Sequence, residues 1–185
     1  MRMRVTPRSV ASYLTLAIVT ILIVTACSSS ADGEPNFPVS QRGNNLSVTV
    51  WASQIRDEIY YQDNDGAIYV VRPSAPDLKL AVIQTTVRND RSNTVIMDVN
   101  EESFTVLDAD GSQYDPVNPF VQRQLAPNPP QTEPYYNFIW GNFELPNGFG
   151  VTAWTIFELP DGVKPTQLRW TAVDTVFVRF FPFGS

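Results

Sequence analysis

The most telling stretch of this chain is Leu78-Lys-Leu-Ala-Val-Ile-Gln-Thr-Thr-Val-Arg88. It is rich in aliphatic and β-branched side chains, which fit the pleated, half-buried surface of a β-sheet. Leu80, Val82 and Ile83 are its core candidates. A polar turn, Asn89-Asp-Arg-Ser-Asn93, follows it directly. We therefore expect a long β-strand that is largely buried.

Short strand-like segments separated by turn residues fill the chain on both sides of this stretch. Leu46, Val48 and Val50 alternate with polar residues, as in a strand with one buried face. Two further segments flank Asp63-Asn-Asp-Gly66, which is typical of a β-hairpin turn. The other predicted strands are 94–99, 103–107, 113–114, 135–145, 151–159, 167–172 and 175–181. No segment shows a sustained helical period, so we expect an all-β fold, an antiparallel β-sandwich.

Three segments together resemble a known domain family. They are Leu80-Ala-Val-Ile-Gln-Thr-Thr-Val-Arg-Asn89, Phe104-Thr-Val-Leu-Asp-Ala-Asp-Gly-Ser-Gln-Tyr114 and Gly150-Val-Thr-Ala-Trp-Thr-Ile-Phe-Glu-Leu-Pro160. In this order they resemble the uncharacterised immunoglobulin-like domain of bacterial lipoproteins, which is sometimes labelled telomeric-repeat-binding-like. The resemblance covers about residues 46–181. It implies an immunoglobulin-like antiparallel β-sandwich and supplies no catalytic residues.

Two features depart from the pattern of that family. One is the extra hairpin around Asp63–Gly66, and the other is the segment 115–134, which holds six prolines. Proline cannot donate a hydrogen bond to a sheet and restricts the residue before it. We therefore expect 115–134 to be a long loop.

The first residues of the chain have the composition of a secretion signal. Arg2, Arg4 and Arg8 precede an apolar run that extends from Val10 to about residue 26. The run ends in Val24-Thr-Ala-Cys27, which resembles the lipobox of bacterial lipoproteins. That resemblance implies cleavage before Cys27 and a diacylglyceryl group on its sulfur. The alternatives are an uncleaved membrane anchor or an ordinary signal peptide with a chance cysteine.

These observations predict three parts and a location. Residues 1–26 are the predicted lipoprotein signal peptide, 27–45 the lipidated Cys27 with a flexible polar tether, and 46–185 the β-sandwich domain. The lipid on Cys27 would attach the chain to the cell membrane, because two or three acyl chains bind a bilayer firmly. We expect the domain to lie on the extracytoplasmic face.

The charge of the chain argues against two kinds of partner. The whole sequence has 13 basic and 19 acidic side chains, a net charge of −6. Without the three leader arginines, 10 basic side chains remain against 19 acidic ones, a net charge of −9. Nucleic-acid affinity depends largely on basic side chains that neutralise phosphates, so no nucleic-acid partner is expected. Anionic lipid headgroups are disfavoured for the same reason.

The residue types limit the available chemistry. The chain has one cysteine and no histidine, which excludes Ser-His-Asp and Cys-His catalysis and histidine-based zinc sites. The acidic turns at Asp63–Gly66 and Asp108–Ser112 invite a calcium interpretation, but each lacks the further ligands that calcium needs. Asp98 and the pair Glu101-Glu102 invite an acid–base interpretation, but neighbours in a polar turn do not form a cleft. We expect turns and solvated loops, with no catalytic residue, metal or cofactor.

One run of aromatic residues is a candidate binding site. Strict alternation in 135–140 would place Tyr136, Phe138 and Trp140 on one face of a strand and Tyr135 on the other. Tyr and Trp are favoured anchors at interfaces, so Tyr135, Tyr136 and Trp140 are the candidates for stacking on a sugar or gripping a peptide. The alternative is ordinary packing inside an aromatic-rich sandwich.

The sequence thus favours a non-catalytic binding or interaction module of the cell envelope. Its partner would be an envelope protein, a surface polymer or a secreted ligand. The alternative is an envelope enzyme, or a subunit of one, that uses carboxylates alone or a metal. A purely structural stalk fits less well because a single sandwich is short.

Overall fold

The computed structural model describes residues 37–130 and 135–181, and these residues form strands connected by turns. Thirteen strands and no helix occur in this part of the chain, so it also contains no helix able to span a membrane. The strands are β1 Val39–Arg42, β2 Leu46–Arg56, β3 Ile59–Gln62, β4 Ile68–Val71, β5 Leu78–Asn89, β6 Thr94–Val99, β7 Phe104–Leu107, β8 Gln113–Tyr114, β9 Arg123–Leu125, β10 Gly141–Pro146, β11 Gly150–Pro160, β12 Gln167–Trp170 and β13 Val176–Arg179. The all-β prediction is confirmed.

The main sheet has the order β1-β2-β5-β11, and every neighbouring pair in it is antiparallel. Strand β5 lies inside this sheet and pairs along its length with β2 and β11. Its predicted core residues Leu80, Val82 and Ile83 are fully buried. Both faces of β5 are therefore covered in this region, which explains why its sequence is an almost continuous apolar run.

A second layer packs against the main sheet. It consists of the four-stranded sheet β13-β12-β7-β8 and the two-stranded sheet β10-β6. One large apolar cluster contains side chains from all three sheets, with Trp170, Phe104 and Phe157 among its largest buried members. This antiparallel arrangement is compatible with a β-sandwich. The immunoglobulin-like form of the sandwich stays a prediction.

A small sheet, β3-β4-β9, accompanies a second apolar cluster. This cluster joins Leu80 and Val82 of the main sheet to Ile59, Tyr61 and other side chains. Leu80 and Val82 alternate along β5 with Ala81 and Ile83, which belong to the large cluster. The small sheet thus accounts for the apolar residues on the outer face of β5. Farther along the same face, the residues are polar and partly exposed.

The prediction of one long loop over 115–134 is wrong in part, since Arg123–Leu125 forms strand β9 on β4. Arg123 holds this strand in place. Its Nη1 donates to Tyr61 Oη at 3.0 Å and pairs with the Asp63 carboxylate, and its guanidinium lies 4.2 Å above the Tyr69 ring. A cation over an aromatic ring adds to this attraction. Residues 131–134 lie outside the described part.

Part of the segment predicted as a tether forms a strand. Val39–Arg42 belongs to the main sheet, where Val39 pairs with Val50 and Arg42 with Ser47. Pairing with the edge of β2 gives hydrogen-bond partners to backbone N–H and C=O groups of this segment, which the sequence pattern had indicated to be an unpaired tether. Residues 1–36, which include the predicted leader and Cys27, lie outside the described residues.

The turn between β1 and β2 is closed by a carboxylate from the far end of the chain. Asp174 accepts hydrogen bonds from the backbone N–H of Asn45 at 2.6 Å and of Leu46 at 2.7 Å. A Cβ on Gly43 would lie 2.7 Å from the same carboxylate, so this close approach needs glycine. Burial by itself would raise the pKa of Asp174, but the backbone donors outweigh it and lower the pKa below its ordinary value.

This carboxylate predicts a loss of stability in acid. Because its pKa is lower in the folded chain than in the unfolded one, its stabilising contribution is present above the unfolded pKa and is lost as the pH falls through the folded pKa. An Asp174→Asn variant should lose about 2 kcal/mol of unfolding free energy at pH 7, because charged hydrogen bonds are replaced by neutral ones. Urea unfolding between pH 2 and pH 7 measures both effects.

The matched control is Asp98→Asn, on the exposed face of β6. It should unfold like the unaltered chain at every pH. If Asp174→Asn retained both full stability at pH 7 and the unaltered pH dependence, the assigned role of Asp174 would be refuted.

Candidate functional site

The three aromatic binding candidates do not share one surface. Tyr135 is exposed, with 49 % of its surface accessible, whereas Tyr136 is only 5 % exposed. The Tyr136 ring lies edge-on to Trp154 at 5.0 Å, and its hydroxyl donates to Gln54 Oε1 at 3.2 Å. Trp140 is half-buried and packs edge-on against Phe104 of the large cluster. Tyr136 and Trp140 are therefore engaged in packing, and Tyr135 is the one of the three with a largely exposed ring.

The predicted single strand over 135–145 is wrong, because this segment bonds to three different sheets. Tyr136 N donates to Tyr60 O of β3 in the small sheet. Asn137 O then accepts a hydrogen bond from Trp154 N, and Ile139 N donates to Trp154 O, so the run next follows the edge of β11. From Gly141 onward the chain pairs with β6 instead. Gly141 has a positive φ of 89°, which lets the chain turn between the two partners. A single strand over 135–145 is thus excluded.

The acidic turn at Asp108 uses its carboxylate internally. Oδ1 accepts from the backbone N–H of Asp110 and of Ser112, both at 2.9 Å, and Oδ2 accepts from Tyr114 Oη at 2.9 Å. Burial raises the pKa of Asp108, but these donors outweigh it and lower the pKa below its ordinary value. The carboxylate thus stabilises the turn between β7 and β8 through hydrogen bonds of the Asx-turn type.

The turn at Asp63 is built in the same way. Asp63 Oδ1 accepts from Asn64 N and Asp65 Oδ1 from Ala67 N, while Gly66 takes a positive φ of 81°. Within residues 37–130 and 135–181, no three acidic, Cys or His side chains are grouped as a metal site would need. Both acidic sequences are therefore explained by turn geometry.

The remaining acidic candidates lie near β6 and the turn that follows it. Asp98, Glu101 and Glu102 are exposed, and Glu101 Oε1 accepts from Asn118 Nδ2 at 3.3 Å. An acid–base pair needs two carboxylates across a cleft from each other. These three side chains lie on an open surface of the described chain instead.

A different surface, which the sequence pattern did not single out, combines an aromatic ring with arginines. We call it the open face of the main sheet: the outer surface of β1, β2 and β5 around Trp51. It forms a shallow depression of about 470 Å³. The residues that line it include Ser40, Arg42, Thr49, Trp51, Thr86 and Arg88.

Trp51 is the centre of this open face. It lies at an irregularity in the pairing of β2 with β5, where the register shifts between Val50 and Ala52. Its ring is 47 % exposed, yet its Nε1 donates to Thr86 Oγ1 at 2.7 Å. The indole is thus held in one orientation while much of its surface stays in contact with solvent.

Hydroxyl groups surround the indole. Thr86 Oγ1 lies 2.6 Å from Thr152 Oγ1, and Ser40 Oγ lies 2.6 Å from Thr49 Oγ1. Each pair spans two neighbouring strands, as cross-strand Thr and Ser side chains do on one face of a sheet. The open face is therefore flat, polar and internally hydrogen-bonded around one aromatic ring.

Two arginines border this surface through a shared acid. Arg42 Nε lies 3.2 Å from Asp90 Oδ2, and Arg88 Nε lies 3.3 Å from Asp90 Oδ1. The arginine side chains are 63 % and 57 % exposed, whereas that of Asp90 is 11 % exposed. Both guanidinium groups thus lie within ion-pair distance of Asp90 and remain accessible to a ligand.

One part of this surface had a signal in the sequence. Trp51 continues the polar positions Ser47 and Thr49 rather than the buried positions Val48 and Val50, so its exposure follows from the alternation of β2. The approach of Arg42 to Arg88 has no such signal, because it depends on which strands pair.

Searches of known protein families, curated proteins and solved structures found no match to this chain.

Proposed function

We propose that this chain is a membrane-anchored extracytoplasmic lipoprotein whose β domain is a non-catalytic binding module of the cell envelope. The observation that carries the proposal is Val24-Thr-Ala-Cys27 at the end of an apolar segment that follows three arginines. Lipid on Cys27 would give the chain its membrane attachment. One acyl chain binds a bilayer only marginally, whereas two or three, at about 0.8 kcal/mol per buried CH₂, bind it firmly.

The site geometry supports binding rather than catalysis. The acidic turns that invited a calcium interpretation use their carboxylate oxygens to accept backbone and side-chain hydrogen bonds. The open face of the main sheet instead offers an exposed aromatic ring, hydroxyls and arginines, which are groups that recognise a ligand. The net charge of −6 continues to disfavour nucleic acid.

We also propose that the sandwich is immunoglobulin-like, on the strength of the three segments that resemble that family. Their strands are β5, β7 with β8, and β11, and all three contribute side chains to the large apolar cluster or pack against it. The outer faces of the sheets in such a sandwich would be available for binding, and the fold alone does not specify the ligand.

Fractionation of cells tests the proposed location. The full chain, tagged at its carboxyl end and expressed in a bacterium, should partition into the detergent phase of Triton X-114. Protease added to spheroplasts should remove the tag, since the domain would lie outside the cytoplasmic membrane. A chain found in the cytosol with its initial Met retained would refute the proposal. Metal-dependent hydrolysis of an envelope polymer by the purified chain would favour the enzyme alternative.

A further inference from the structure

We propose that the open face of the main sheet binds an acidic polysaccharide, with a sugar ring stacked on Trp51 and its carboxylate or phosphate held by Arg42 and Arg88. The inference deepens the proposed binding function by naming the ligand class and its site. It concerns binding by the purified chain, so it can be tested separately from membrane attachment.

The charge of the open face is complementary to an acidic ligand. The chain as a whole is acidic, yet two arginines meet on this face and share one acid, Asp90. Arg42 pairs with Ser47, and Ser47 pairs with Arg88, so the two guanidinium groups come from strands on either side of β2. The planar guanidinium fork matches carboxylate and phosphate oxygens. The local charge therefore favours an anion on a protein that otherwise repels one.

The Trp51 side chain is both exposed and held in one orientation, which suits it to stacking on a sugar. A large aromatic side chain that is 47 % exposed leaves apolar surface uncovered. Its hydrogen bond to Thr86 limits rotation, so little conformational entropy is lost when a ligand packs on it. The aliphatic C–H face of a sugar ring is a suitable partner, because it is apolar and bordered by hydroxyls. Hydroxyls of Ser40, Thr49 and Thr152 surround the indole and match that border.

Access to the backbone on this face favours a polysaccharide over a peptide. A peptide that adds to a sheet as a strand needs the unpaired backbone groups of an edge. Strands β2 and β5, which carry Trp51 and Arg88, are paired on both sides, β2 with β1 and β5, and β5 with β2 and β11. The edge strand on this face is β1, which is only four residues long. Only side chains face the ligand, and the depression is open rather than enclosed. This suits a chain of sugars that continues past the site.

Binding of the purified full chain to four polymers tests the proposal, with isothermal titration calorimetry as the measurement. Polygalacturonate carries carboxylates, a glycerol-phosphate teichoic acid carries phosphates, dextran is a neutral glycan, and poly-glutamate is an acidic peptide. We expect binding to one or both of the acidic polysaccharides, and the stronger of the two identifies the acidic group. Dextran and poly-glutamate should bind at least tenfold more weakly, about 1.4 kcal/mol or more.

Variants link the binding to this site. Trp51→Ala should weaken binding about tenfold, whereas Trp51→Phe, which keeps a ring but loses the Nε1 donor, should retain most of it. The double variant Arg42→Gln/Arg88→Gln should lose the preference for acidic over neutral glycan. Phe177→Ala, which removes an exposed ring on β13 of the second layer, is the matched control and should bind normally. Thermal melting verifies that each variant is folded.

Three results would overturn the proposal. They are no binding to either acidic polysaccharide, unchanged binding by the folded Trp51→Ala variant, and equal binding of poly-glutamate, which would indicate a peptide partner. A failure of the proposed location would appear in the cell fractionation instead and would leave these titrations unaffected.

Discussion

A Cys27→Ser variant is expected to incorporate no fatty acid and to accumulate as an unprocessed precursor. Cys27 is the single cysteine of the chain, so no other thiol can accept the diacylglyceryl group. A serine hydroxyl cannot form the thioether that the lipobox resemblance implies. Metabolic labelling with an alkyne fatty acid, followed by gel electrophoresis, measures both incorporation and the retained leader.

The matched control for this experiment is Ser28→Ala, which alters the neighbouring residue and keeps the thiol. It should be labelled and shortened like the unaltered chain. Normal labelling and processing of Cys27→Ser would contradict the lipoprotein proposal, and the membrane attachment of the chain would then need another explanation.

A Trp170→Ala variant is expected to lose about 4 kcal/mol of unfolding free energy, more than any other substitution proposed for the β domain. Trp170 is fully buried in the large apolar cluster and stacks on Phe104, with ring centroids 5.7 Å apart and planes 12° apart. Its Nε1 donates to Ala172 O at 2.8 Å. Alanine would leave a cavity where two layers meet and would leave that carbonyl without its donor. Urea unfolding followed by tryptophan fluorescence and circular dichroism measures the loss.

The control is Phe177→Ala on the neighbouring strand. Phe177 is 51 % exposed, and it lies on β13, which pairs with β12. We expect a loss below about 1 kcal/mol, because an exposed ring makes few contacts with the cluster. A Trp170→Ala loss as small as that of Phe177→Ala would show that Trp170 does not hold the two layers together.

The two variants also separate anchoring from folding. Lipidation requires the leader and Cys27, so Trp170→Ala should still be labelled with fatty acid. Cys27→Ser lies outside the described domain and should leave the urea unfolding of that domain unchanged. A chain whose domain unfolds when lipidation is blocked would indicate contacts between the amino-terminal segment and the sheets.

The sequence predicted much of the strand content because that content depends on local properties. Strands β6 and β8 were predicted with the bounds that the structure shows, Thr94–Val99 and Gln113–Tyr114. The hairpin around Asp63–Gly66 was also predicted, since Asp and Gly favour the turn conformation whatever surrounds them. The core positions Leu80, Val82 and Ile83 followed from the apolar run in β5.

The sequence by itself determined that the described part of the chain is all-β and where most of its strands and turns lie, because alternation and turn chemistry act within a few residues. Only the tertiary structure decided which strands meet. It placed Arg123–Leu125 on β4 and Val39–Arg42 on β2, and it divided residues 135–145 among three sheets. Alternation tells which face of a strand a residue occupies but not which strand lies beside it. For that reason the approach of Arg42 to Arg88 beside Trp51 depends on pairing between distant parts of the chain.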